Sequence, residues 1–361
     1  MSKEPILSIL IPNRQSVPFI FETIDNILSC KDNRFEIIVN DNSFPNKLDF
    51  SSYTDKRIKI FIEPTVLSMT QNFYNVLVKA KGKYITYIGS DDGCIPKNLS
   101  TLIDFLEKSN VNAVNTRHLF FNNERTNFFF TVPKKPVTLN KYIYIYPNKL
   151  SFFFYSYRTW LPMPYALAAV KRELLFEIIN KYDQIPGIAP DDFLGHFIAQ
   201  KIRKGVFFDL PVFITCNSNR SNASALQSEK NTDISNQFIK DSLPKLGELT
   251  KIFGLNCLPS ITVEHYYLAR DMKIRNFNLI KYWVIFSCFD CRHHDGRVFK
   301  LTIGIRRIIF TACDNIFKYF FMLLNFSIFK PSRPIKIKVS NISNITAAAI
   351  LMNSNIKYLT D

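Results

Sequence analysis

The chain has 361 residues, 47% of them hydrophobic, with 46 Lys and Arg against 30 Asp and Glu for a formal charge of +16. That apolar content argues against disorder and suffices for one sizeable core with an appendage or for two modest domains, while the basic excess calls for anionic partners such as nucleotides, phospholipid headgroups or nucleic acid. Seven scattered cysteines, an odd number, argue against a secreted disulfide framework and for free thiols in a reducing cytoplasm.

The apolar run over residues 6–11 is too short for a signal-peptide core and runs directly into Pro12, Asn13 and Arg14, so it reads as a buried strand. A helix follows over 19–28, with Ile20, Ile24, Ile27 and Leu28 on one face. FEIIVNDNS (35–43) is a second buried strand ending in turn formers, and RIKIFIE (57–63) alternates as a third. NFYNVLVKAKG (72–82) reads as a helix closed by Gly82, and KYITYIG (83–89) as a fourth strand. Strands that are apolar on both faces, in β-α-β-β-α-β order, predict a mainly parallel α/β sheet flanked by helices.

A helix over 99–108 and a strand near 113–115 come next, then a loop-rich, aromatic stretch over 117–160. Residues 161–182 return to a strand followed by a helix, IPGIAPDDF (185–193) is a turn carrying two acids, a helix covers 197–202, and 205–215 is another strand. NSNRSNAS (217–224) reads as a flexible loop near which the first domain ends. The resulting division is an α/β domain over 1–230 and a basic, aromatic-rich helical extension over 231–361.

In open α/β sheets the ligand lies beyond the carboxyl ends of the strands. The polar residues fall at those ends: Asn13 and Arg14 after the first strand, Asp41 after the second, Asp91 and Asp92 after the fourth. Two adjacent carboxylates at a strand end repel each other unless a hard cation neutralises them, and Mg²⁺ or Mn²⁺ bound by one or two carboxylates plus phosphate oxygens suits this layout. An Asp-Gly turn with one acid capping the next helix is the plainer alternative.

With these motifs in place the chain resembles a family 2 glycosyltransferase of the GT-A fold, of bacterial surface-polysaccharide type. LSILIPNRQ is similar to the family's opening strand and nucleotide loop and EIIVNDNS to its second strand. LSMTQNFYNVLVKAKGKYITYIGSDDG is similar to its helix, strand and metal motif, and PDDFLGHFIA to its late acidic motif, the whole covering residues 5–220. The resemblance implies a nucleotide-diphosphate-sugar donor, with Pro12, Asn13, Arg14, Asp41, Asn72 and Asp91 at the nucleotide. Asp41 would face the nucleobase, Asp91 the ribose, and Asp92 a Mn²⁺ or Mg²⁺ ion bridging the diphosphate. Asp191 or Asp192 would deprotonate the acceptor hydroxyl for an inverting displacement, with Asp191 favoured because Leu194, three residues on, matches the motif's first apolar position. The acceptor would be a glycan or lipid-linked saccharide. Departures are Asn13, Arg14 and Gln15 in the first loop, Asn40 in place of one acid of the second pair, and Ser90 where the metal motif often opens with an acid. A catalytically degenerate nucleotide-binding protein, or a basic anion-binding protein, is the rival reading.

Other polar residues carry less. Asn72 reads equally as a helix N-cap, His118, His196 and His265 are isolated, and Trp160, Pro162 and Tyr165 suit an acceptor subsite that stacks on sugar, with core packing an equal alternative for Trp160. Cys288 and Cys291 lack a second pair for zinc. Between Arg270 and Lys338, 14 basic and four acidic residues lie among Phe, Ile and Leu, and residues 300–325 show a narrow polar stripe at helical spacing. Such a segment docks on an anionic membrane surface, placing the protein peripherally at the inner face of the cytoplasmic membrane, or caps the catalytic domain. Asp314 and Lys318 argue against a membrane span, and bulky aliphatics among the cations, with no recognition motif, argue against nucleic acid.

Overall fold

The computed structural model describes residues 4–14, 18–122, 128–132, 142–145, 161–217, 238, 240–242, 245–253, 258–273 and 335–339. The loop expected after Asn217, Trp160, the Cys288–Cys291 pair and the polar stripe over 300–325 lie outside these residues.

The first strand, β1 (Leu7–Asn13), is apolar on both faces because both faces are covered. Leu7, Ile9 and Ile11 pack into a cluster with Ile20, Ile24 and Ile27 of α1 (Phe19–Leu28) and Leu99, Leu102, Ile103 and Leu106 of α3 (Pro96–Lys108). Leu10 turns to the other side, where Phe73, Val76 and Leu77 of α2 (Met69–Val78) meet Phe193, Leu194, Phe197 and Ile198 of α5 (Pro190–Lys201). Truncating Leu10, which is fully buried, to Ala would cost about 2–5 kcal/mol.

β1 pairs in parallel with β2 (Phe35–Asp41) and β4 (Tyr84–Tyr87), and β2 pairs in parallel with β3 (Ile58–Ile62). β9 (Ala168–Lys171) runs antiparallel between β4 and β6 (Ala113–Asn122), so β6 regains the direction of the parallel strands. β10 (Gly205–Asn217) lies parallel to β6 with register shifts on either side of Pro211, which cannot donate to a ladder. Beyond Pro211, β10 pairs with the two-residue β5 (Gly93–Cys94). The expected mainly parallel sheet with helices on both faces is thus the architecture present, and it is the arrangement of a GT-A domain.

Four features differ from the sequence reading, the first being that α5 begins at Pro190, inside the stretch read as a turn, because proline suits the first turn of a helix. The stretch 117–160 is not simply loop: β6 extends to Asn122, and β7 (Phe128–Val132) and β8 (Tyr142–Ile145) follow, their aromatic residues supplying the β-propensity. α2 ends at Val78, and Gly82 does not close it. Gly82 instead lies so close to β1 that a Cβ there would sit 2.5 Å from the Ser8 nitrogen. The extension is not wholly helical either. Its described helices are α6 (Glu248–Phe253) and α7 (Leu258–Leu268), but β11 (Ile335–Val339) returns to the sheet antiparallel to β7. The alternation in IKIKV is a strand signal submerged in a basic, aliphatic segment. No described helix is long and apolar enough to cross a membrane.

Candidate active site

The parallel register brings the ends of β1 and β2 side by side, so Asn13 stands opposite Asp41 and Pro12 opposite Asn40. Asn13 Nδ2 donates to Asp41 Oδ1 at 2.8 Å, and the Ser43 hydroxyl donates to the same oxygen. Both side chains are fully buried, and Asp41 Oδ2 and Asn13 Oδ1 find no donor among the described residues. A buried acceptor without a donor costs about 1–3 kcal/mol, so this pair is a place where an N–H from outside would be stabilised.

Asn72, expected either to meet the nucleotide or to cap its helix, is not the cap. The N-cap of α2 is Ser68, in a capping box with Gln71. Asn72 is buried one turn further on, its Nδ2 donating to the Asn13 carbonyl at 3.1 Å and its Oδ1 accepting from Asn40 Nδ2 at 2.8 Å. Its amide therefore fixes the backbone at the tip of β1. Pro12 and Arg14 are half-buried beside it, and the Arg14 guanidinium lies 3.9 Å from Asp241.

The turn after β4 is held from several directions. Thr23 of α1 donates its hydroxyl to the carbonyls of Ser90 and Asp92 at 3.1 and 2.6 Å, and Asn26 Oδ1 accepts the Cys94 amide at 2.7 Å. Asp92 is buried, with Oδ2 accepting the Gly89 amide at 2.6 Å and Oδ1 the Cys216 amide at 2.8 Å. The sequence reading put the metal on Asp92. Each oxygen of that carboxylate accepts a backbone N–H, which ties the end of β10 to the turn, and Asp91 is the half-buried member of the pair. Burial first, and then the charge of Asp91, push the Asp92 carboxyl up to about 8.

Asp191 and Asp192 occupy the first turn of α5, behind Pro190, where acids complement the helix dipole. Neither is the N-cap, which is Ala189 without a side-chain bond. They divide as the first pair does. Asp192 is buried, its Oδ2 bonded to His265 Nδ1 at 2.9 Å and its Oδ1 accepting the Thr262 hydroxyl at 3.2 Å, while His196 Nε2 lies 3.9 Å away. Asp191 is half-buried. Burial pushes the His196 imidazole down to about 4.

Tyr165 joins the two acidic motifs. Its hydroxyl hydrogen-bonds Asp92 and packs against Gly89, where a Cβ would lie 2.6 Å from that oxygen. Burial, followed by the charges of Asp92, Asp91 and Asp191, holds the phenol well above its ordinary range. One hydroxyl thus stands in the field of carboxylates that are 100 positions apart in the chain.

Sequence reasoning weighed Tyr165 only as a stacking ring, gave no part to Thr23 or Asn26, and set His265 aside as isolated. The signal for Thr23 and Asn26 was available, since both interrupt the Ile20–Ile24–Ile27 face of α1 and are buried there. Of the other histidines, His118 lies on β6.

Residues 8–164 match the family model described as Glycosyl transferase family 2. The resemblance read over 5–220 therefore has its late motif, Asp191 and Asp192, beyond the matched segment. Among solved structures, residues 1–349 of TarS from S. aureus align with a TM-score of 0.45 at 14% identity, covering 78% of this chain and 79% of that one. The same fragment in complex with UDP gives 0.46 at 15% identity over 77% and 78%, and in complex with UDP-GlcNAc 0.46 at 14% identity over 79% and 81%. No curated protein matches.

Proposed function

Starting from a chain whose residues 8–164 match the Glycosyl transferase family 2 model, we propose that it transfers one sugar from a nucleotide-diphosphate-sugar donor to a hydroxyl of a glycan or lipid-linked saccharide, with inversion at the anomeric carbon. The observation that carries this reading is that the Tyr165 hydroxyl, Asp91 and Asp92 crowd together at Gly89 at the end of β4, each within 3.0 Å of where a Cβ there would stand, with the charge of Asp191 from α5 acting on the same phenol. Acids with separate roles, on separate elements, around one point are what a bisubstrate displacement needs.

The donor's nucleobase fits at Asn13 and Asp41, whose free acceptor atoms, Asn13 Oδ1 and Asp41 Oδ2, would take its N–H groups. The diphosphate lies toward the turn after β4. An adjacent carboxylate pair at a strand end, one member half-buried, suits a divalent cation shared with phosphate oxygens, while among the described residues no group of three or more His, Cys, Asp and Glu side chains could hold one alone. Asp91 would hold Mn²⁺ or Mg²⁺ with phosphate oxygens and water completing the shell, and Asp92 would fix the turn through the Gly89 and Cys216 amides. When bound, the ion neutralises charge on the departing nucleoside diphosphate.

Asp191 is the general base. It takes the proton of the acceptor hydroxyl as that oxygen bonds to the anomeric carbon and the bond from that carbon to the diphosphate breaks. Asp192 does not share the task, because its oxygens are committed to Thr262 and His265. Bacterial surface-polysaccharide assembly is the setting this reading proposes.

A thermal-shift screen of UDP, GDP, CDP and dTDP, with and without Mn²⁺, tests the reading at its first step. At 100-fold excess over Kd a bound diphosphate stabilises by roughly 2.7 kcal/mol. A Mn²⁺-dependent shift with at least one of them is expected, and no shift with any at millimolar concentration removes the donor site.

A further inference from the structure

We infer that His265, on a helix beyond the family-matched segment, is a positioning residue that holds the catalytic Asp191 in place by gripping the chain on either side of it, at Ile188 and Asp192. The inference rests on the reading of Asp191 as the base.

The imidazole sits between two parts of one short segment. Its Nε2 accepts the Ile188 amide at 3.3 Å, and its Nδ1 meets Asp192 Oδ2 at 2.9 Å. A backbone N–H aimed at Nε2 leaves that nitrogen as the acceptor, so the proton sits on Nδ1 and is donated to the carboxylate. One ring thereby grips residue 188, three before Asp191, and residue 192, one after it. Thr262, on the same face of α7 as His265, closes the other oxygen of Asp192. Both members of α7 are buried.

The segment is shaped to receive the ring. Gly187 has φ +82°, a left-handed conformation that side chains resist. A Cβ there would lie 2.3 Å from His265 Nε2. Two independent demands, backbone conformation and room for the imidazole, therefore fall on the same glycine. Asp192 in turn gains a partner for each oxygen in a place where an unpaired carboxylate would be costly. The result is a rigid stretch from Gly187 to Asp192 with Asp191 as its half-buried member, and a shift of about 1 Å in a catalytic group lowers turnover by roughly 100-fold.

The test uses the full chain with His265→Phe, His265→Gln, Thr262→Val and Asp191→Asn. For each, the fraction of sites that bind the nucleoside diphosphate found in the screen is titrated calorimetrically with Mn²⁺. Release of that diphosphate from its sugar donor is then measured per competent site. His265→Phe keeps an aromatic ring, somewhat larger than the imidazole, and loses both bonds. It is expected to leave Kd and the donor KM within about twofold and to lower kcat about 10- to 100-fold, within the loss set by a misplaced base. His265→Gln, whose amide offers one donor and one acceptor, should recover most of that loss. Thr262→Val, which removes one bond to Asp192, should lower kcat by a few-fold and serves if the Phe variant does not fold.

An unchanged kcat per competent site in His265→Phe, or in Thr262→Val if that is the variant in hand, overturns the inference. So does an equal loss in the Gln and Phe variants. Full activity in Asp191→Asn overturns the base assignment and the positioning inference together. An inactive Asp191→Asn beside a fully active His265→Phe overturns the positioning alone.

Discussion

The division of labour between Asp91 and Asp92 predicts opposite effects from two isosteric changes. Asp92→Asn alters no volume, but an amide nitrogen has no lone pair for the N–H that it would face. Oδ1 accepts Cys216 N–H at 2.8 Å and Oδ2 accepts Gly89 N–H at 2.6 Å, so whichever way the Asn is placed one buried amide loses its acceptor. That costs about 2 kcal/mol, which for a domain of this size lowers Tm by about 4–8 °C. The argument holds whether or not the carboxyl is protonated, because a protonated oxygen still accepts. Asp91→Asn touches the half-buried member of the pair and should cost less stability than Asp92→Asn. The assay is differential scanning fluorimetry of both variants, alone and with the bound nucleoside diphosphate and Mn²⁺. Asp92→Asn should melt early yet keep a ligand-induced rise, and Asp91→Asn should melt closer to the parent and lose the rise. The reverse pattern, a stable Asp92→Asn without the Mn²⁺ response beside a responsive Asp91→Asn, would refute the assignment and return the metal to Asp92.

The acids of α5 should separate in the same manner: Asp192→Asn should lower Tm through its bonds to His265 and Thr262, while Asp191→Asn should melt normally and lose transfer by about 10²- to 10⁴-fold; equal melting of the two would contradict the split. His196 is held neutral by burial down to about pH 4, whereas in the unfolded chain it takes a proton near 6.5. Its contribution is therefore present above about pH 6.5 and is lost as pH falls toward 4, by about 2 kcal/mol at pH 5. Urea melts at pH 7 and pH 5 should show that difference shrinking in His196→Gln, and an unchanged pH slope would contradict it. The basic excess over residues 270–338 predicts binding to vesicles of anionic phospholipid that weakens with salt; a chain that stays in solution when the vesicles float would leave that segment as a cap on the domain.

The central sheet was legible because its strands are long apolar runs bounded by turn formers, a pattern that a parallel sheet covered on both sides requires. LSILIP and FEIIV could hardly be anything else, and their polar ends marked the site. The distribution of work inside each acidic pair was not legible. Asp91 and Asp92 are identical in composition, and only the fold brings Cys216, 124 positions away, to the second of them. Likewise the partners of Asp192 come from α7, 70 and 73 positions on, where a single His in a helix gives no periodic signal. The strands β7, β8 and β11 were missed for another reason. Phe- and Tyr-rich or Lys–Ile alternating stretches read locally as loop or amphipathic helix, and long-range pairing decides in favour of strand.

The most direct measurement is release of nucleoside diphosphate from a panel of UDP-, GDP-, CDP- and dTDP-sugars by the full chain with Mn²⁺, with acceptor saccharides present or water as the fallback acceptor, set beside Asp191→Asn. The account predicts release from at least one donor, abolished or slowed at least 100-fold in the variant while diphosphate binding persists. Tight binding without release from any donor, or release that Asp191→Asn leaves untouched, would contradict it.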